Sequence, residues 1–169
     1  MNYSKALNEC IESAYMVAGH FGARYLESWH LLIAMSNHSY SVAGATLNDY
    51  PYEMDRLEEV ALELTETDYS QDETFTELPF SHRLQVLFDE AEYVASVVHA
   101  KVLGTEHVLY AILHDGNALA TRILERAGFS YEDKKDQVKI AALRRNLEER
   151  AGWTDRKSTR LNSSHITRS

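Results

Sequence analysis

The chain has 169 residues, 44% of them hydrophobic, with a net charge of −9 and a single cysteine. This is enough apolar material for one compact domain with a sizeable core, and the lone Cys10 excludes an internal disulfide and fits a reducing, cytoplasmic setting. The acidity argues against nucleic acid or an anionic membrane as partner, and the longest apolar runs, Leu31–Met35 and Val108–Leu113, are too short to span a bilayer.

The polar start, Met1 to Lys5, reads as no secretory signal and leads into an amphipathic helix. Leu7, Cys10, Ile11, Ala14 and Ala18 recur at helical spacing, with Ser4 where an N-cap is wanted. Cys10 lies on this apolar stripe and reads as a buried, inert thiol. A break at Gly22-Ala-Arg precedes a second helix, expected to be capped by Ser28 and to carry Leu31 to Met35 into the core. After the polar stretch Asn37–Ser41 comes a short third helix with Val42, Ala43 and Leu47, then a turn at Asp49-Tyr-Pro. A fourth helix runs through Met54, Leu57, Ala61 and Leu64. Thr65–Pro79, acidic and aperiodic, reads as a linker.

The pattern then repeats. Shifted by 77 residues, Ser4–Tyr52 falls on Ser81–Phe129 without a gap, and 12 of the 49 pairs are identical, against about three expected from ordinary composition. Among them are Ser4/Ser81, Leu7/Leu84, Leu26/Leu103, His30/His107 and Leu47/Leu124. The second copy therefore has its own long helix after Ser81, a second after Thr105, a third through Leu119 and Leu124, and a fourth through Val138, Leu143 and Leu147. Ser130 with Asp133 resembles a capping box at that last helix. No β-branched alternation suggests a strand. The expected fold is all-α: eight helices as two tandem four-helix repeats, about 3–66 and 80–150, with pseudo-twofold symmetry. Residues 154–169 lack a helical period, and Arg156, Lys157, Arg160 and Arg168 against Asp155 give them +3, leaving −12 on residues 1–153. They read as a vector-derived or disordered tail.

No glycine-rich phosphate loop and no catalytic Ser/His/Asp context occurs in the sequence, so neither ATP hydrolysis nor another enzyme activity is expected of it. Glu27-x-x-His30 has the spacing of a di-iron ligand pair, but its counterpart places Gly104 opposite Glu27, so no metal is expected. The retained histidines His30 and His107 read as half-buried groups bonded to a neighbouring helix. The stretch Val102-Leu-Gly-Thr-Glu-His-Val-Leu puts Thr105 and Glu106 at a helix start, where backbone N–H groups favour an anion. With Ser81 and Arg83 at another helix start, one pocket holding both charges is conceivable, as is a plain cap with a surface acid.

The duplicated unit, with Gly104-Thr105-Glu106-His107 opening the second helix of its second copy, resembles the amino-terminal domain of Clp-type AAA+ unfoldases, most closely the ClpC branch. The resemblance covers about residues 3–150. It implies a domain that receives substrates and adaptors of the MecA type for a hexameric ATPase. That ATPase unfolds proteins and threads them into a peptidase ring, and ATP and magnesium belong to its modules; no cofactor is implied for this chain. It also implies phosphoarginine recognition, with Ser81, Arg83, Thr105 and Glu106 at the motif positions of the second copy. Trp29 stands where the first copy would need its glutamate and Ala6 opposite Arg83, so a single site is expected, in the second repeat. A stand-alone scaffold or binding protein with the same fold and no ATPase is the alternative.

Overall fold

The computed structural model describes residues 1–66, 77–115, 118–129 and 134–153, with backbone alone over 134–140. The middle of the expected linker (67–76), the expected cap at Ser130 and Asp133, and the tail 154–169 lie outside the described residues.

Among the described residues eight helices follow in chain order: α1 (Lys5–His20), α2 (Ser28–Ser36), α3 (Val42–Leu47), α4 (Leu57–Thr65), α5 (His82–Val97), α6 (Thr105–His114), α7 (Leu119–Leu124) and α8 (Lys134–Arg150). A single helical turn, Pro51–Met54, precedes α4, and a π-helical turn, Glu125–Phe129, follows α7. Gly128 bends the backbone inside that turn at φ 136, a conformation few other residues adopt. No strand forms among the described residues. The two sets of four correspond one to one, as the duplication requires.

Each long helix begins on a serine hydroxyl: Ser4 Oγ accepts from Leu7 N and Ser81 Oγ from Leu84 N, both at 3.1 Å. Such a cap contributes about 1 kcal/mol. The apolar stripes behind them bury Leu7, Cys10, Ala14 and Ala18 in α1, and Leu84, Ala91, Val94 and Ala95 in α5. Complete burial of a leucine such as Leu7 or Leu84 contributes about 1.5–3 kcal/mol. Against these stripes pack α2 and α6, which are almost wholly buried and form the centre of the core.

The second helices begin differently from expectation. Ser28 and Thr105 are the first helical residues, and the caps are Glu27 and Gly104. The cap N–H groups are taken by histidine: Glu27 N donates to His30 Nδ1 at 2.9 Å and Gly104 N to His107 Nδ1 at 2.8 Å. His30 and His107 are thus fully buried and bonded to their own helix, not half-buried and bonded to a neighbour. A ring nitrogen three residues into the helix reaches back as the glutamate of a capping box does.

The repeats are crossed rather than stacked end to end. Asn2 and Ser4 pair with Leu103 (Leu103 N to Asn2 O, Ser4 N to Leu103 O, both 2.8 Å), and Pro79 and Ser81 pair with Leu26 (Leu26 N to Pro79 O 2.9 Å, Ser81 N to Leu26 O 3.0 Å). The entry to each long helix is therefore held by the other repeat, just ahead of that repeat's second helix. Further along, α8 packs on α3 and α4 on α7. Asp49, just after α3, accepts from Asn146 and Arg150 of α8 at 2.6 and 2.8 Å.

Candidate functional site

Because the backbone crosses over, the start of α6 faces the start of α1. Between them opens a cavity of about 560 Å³ lined by residues that include Ser4, Lys101, Gly104, Glu106, His107 and Trp153. Glu106 follows the first residue of α6, and its carboxylate lies back over the helix start beside Gly104. Burial raises its pKa above the usual carboxylate range, while a hydrogen bond from its own backbone N–H pulls it back. Trp153 forms the wall, stacked on His107 at 5.7 Å and edge-on to Tyr110 at 5.3 Å.

A second cavity, of about 570 Å³, opens where the start of α2 and the start of α5 meet the end of α4 and α7. Glu27, Ser28, Trp29, Arg83 and Arg122 are among its lining residues. Trp29 contributes little free surface: it is 6% exposed, edge-on to Phe21 at 4.7 Å with its ring 3.9 Å from His30. Arg83 also borders a third, smaller hollow with Glu90 and Asp115. There it forms a two-pronged pair with Asp115, Nη2 to Oδ1 at 2.9 Å and Nε to Oδ2 at 3.3 Å.

The four residues singled out in the sequence are therefore divided. Glu106 lines the α6 cavity, whereas Arg83 lines the α2 cavity and the hollow beside Asp115. Ser81 spends its hydroxyl capping α5. Thr105 is buried, and its hydroxyl accepts from Ala43 N at 3.2 Å, joining α6 to α3. The crossed entry explains the division, since each long-helix start faces the second helix of the other repeat. Lys101, Ser4 and Trp153 beside Glu106 escape a reading of motifs. The one available signal was the basic pair Arg24/Lys101, which holds its charge in both copies.

Other chemistry finds no footing among the described residues: no group of three or more metal-ligating side chains gathers, and no helix is long and apolar enough to cross a membrane. The Glu27-x-x-His30 pair is used up internally, with His30 Nδ1 on the Glu27 N–H. Cys10 is buried, and burial pushes its thiol up to about 11, so it is no nucleophile at neutral pH.

The family of the Clp repeat (R) N-terminal domain matches residues 2–127. The chain belongs to that family. Among solved structures, this Clp repeat domain is similar to the N-terminal domain of the caseinolytic protease-associated chaperone ClpD of Arabidopsis thaliana. The TM-score is 0.66 at 16% identity, covering 89% of this chain and 95% of that one. It is likewise similar to a solved chain from work on a malarial protein secretion system, with TM-score 0.63 and 20% identity, covering 88% and 97%. At these identities the likeness establishes the fold. No curated protein sequence is close enough to count as a match. As a Clp N-terminal domain the chain is a binding module of the Clp ATPase family, and its 169 residues carry no ATPase motif.

Proposed function

We propose that this domain receives protein substrates and adaptors for an ATP-driven Clp unfoldase of the ClpC type, and that it reads phosphoarginine in the α6 cavity alone. One observation carries the reading: Glu106, a carboxylate partly withdrawn from water, lines an open cavity that Lys101 also lines. The carboxylate pairs with a guanidinium, while Lys101 takes the phosphate. Arg83, expected from the sequence to hold the phosphate, lines another cavity, so Lys101 takes that role. Ser81 and Arg83 belong instead to the first-repeat side, offered to an adaptor of the MecA type. ATP, magnesium and the peptidase ring are engaged by ATPase modules, this domain needs no cofactor, and it works in the cytoplasm.

Calorimetric titration of phosphoarginine tests the reading. Wild type should bind one equivalent; Glu106→Gln should lose about ten- to a hundredfold in affinity, and Arg83→Ala should bind as wild type does. A stoichiometry of two, or undiminished binding by Glu106→Gln, would overturn it.

A further inference from the structure

Gly104, the N-cap of α6, has φ −107 and ψ 173, extended backbone open to any residue. Its own conformation therefore does not call for glycine. The neighbouring side chain does. A Cβ on residue 104 would take the place of Glu106 Oε1 and stand 2.8 Å from Cδ of that carboxylate. Nothing nearer than this carboxylate opposes it, and a carboxylate is the free end of a flexible side chain. Adding a Cβ would thus evict the carboxylate and spare the fold.

The first repeat makes the complementary choice. At the matching positions it has Glu27 and Trp29, so the glycine and the acid two residues later are both missing. Trp29 turns inward onto Phe21 and His30.

We propose that Gly104 is a positioning residue of the Glu106 site: lacking a Cβ, it lets the carboxylate fold back over the start of α6, and this pairing makes the second-repeat cavity, not the first, the one that recognises a cationic head group. The inference rests on the reading of Glu106 given above, and adds what sets its geometry.

The test has two arms. In the first, the Glu106 carboxyl is titrated by NMR in wild type and Gly104→Ala, with Glu106→Gln to assign the signal. Lys101, His99 and His107, the other titratable groups of the cavity, are followed alongside. The Glu106 midpoint should lie above the ordinary carboxylate range in wild type and drop towards it in Gly104→Ala, as the carboxylate moves into water. An unchanged midpoint would overturn the proposal. In the second arm, phosphoarginine is titrated into both single variants and the double variant. Gly104→Ala should weaken binding about tenfold, keep the wild-type melting temperature, and add nothing in the Glu106→Gln background. An additive loss in the double variant would also overturn it. Gly104→Ser brings the same Cβ with a side chain favoured at N-caps, and replaces Gly104→Ala if that variant is unfolded. A wild type that ignores phosphoarginine would sink the functional reading, while the Glu106 midpoint still decides on Gly104.

Discussion

His30 and His107 persist in both repeats because each supplies a ring nitrogen to the cap of a buried helix. To accept that N–H the ring must be neutral at Nδ1, and burial enforces this: the pKa is lowered to about 3 for His30 and about 4 for His107. An unfolded chain takes up these protons near pH 6.5, the ordinary histidine value. The folded state refuses them, so stability is full above pH 6.5 and falls as the pH drops towards 4. For His107 alone the loss by pH 4 is about 3 kcal/mol. Urea melts from pH 7 to 4.5 should show this slope. His107→Asn, whose amide oxygen can take the Gly104 N–H without titrating, should about halve it, His30 keeping its own share; an equal slope in the variant would refute the assignment. His99 makes a second residue-scale case. It holds φ 58 where its counterpart Gly22 holds φ 64, and a side chain in that region costs about 1–2 kcal/mol. His99→Gly should therefore raise the melting temperature by about 2–4 °C.

Among the elements, α3 and α7 solve one packing problem in two ways. Gly44 in α3 lies against the carbonyls of His38 and Met35, so close that a Cβ there would overlap the His38 oxygen. Thr121, at the same place in α7, uses its hydroxyl instead, donating to Asp115 O at 2.6 Å and lying 3.2 Å from Ile112 O. These are the same two carbonyls, 77 residues on. Gly44→Ala pushes a methyl into backbone that cannot yield and should cost about 1–3 kcal/mol in chemical denaturation. Thr121→Val removes the hydroxyl that donates to Asp115 O and should cost about 0.5–1.5 kcal/mol. Loss of less than half a kcal/mol in Gly44→Ala would mean that the approach is looser than described. Elements of this kind are legible in sequence where one local signal governs them. The stripe from Leu7 to Ala18 and the Ser4 and Ser81 caps are such cases. The starts of α2 and α6 misled because hydroxyl preference points to Ser28 and Thr105, while a histidine three residues further on competes successfully for the cap. The α6 cavity was half legible: Glu106 stands in a motif, but Lys101 and Trp153 carry none, and Ser4 reaches it through the crossing of repeats, which neither repeat encodes alone.

At the scale of the whole molecule, that crossing decides how the chain can be divided. The peptide groups of Leu26 and Leu103 are completed only by the other repeat. A fragment of residues 77–153 would present Leu103 with both backbone groups unpaired beside a buried side chain, at a cost of about 1–3 kcal/mol for each. Two such fragments can each supply the other with Pro79 and Ser81. The fragment should therefore sediment as a symmetric dimer with the helix content of the intact domain, and a folded monomer would count against this. The crossed pairing has the form of a subunit contact enclosed within one chain: two copies of such a half, joined end to end, need no new interface, because their mutual contact becomes the inside of one protein. Two halves tied in this way need not stay alike, and one second helix carries an acid near its start where its twin carries tryptophan.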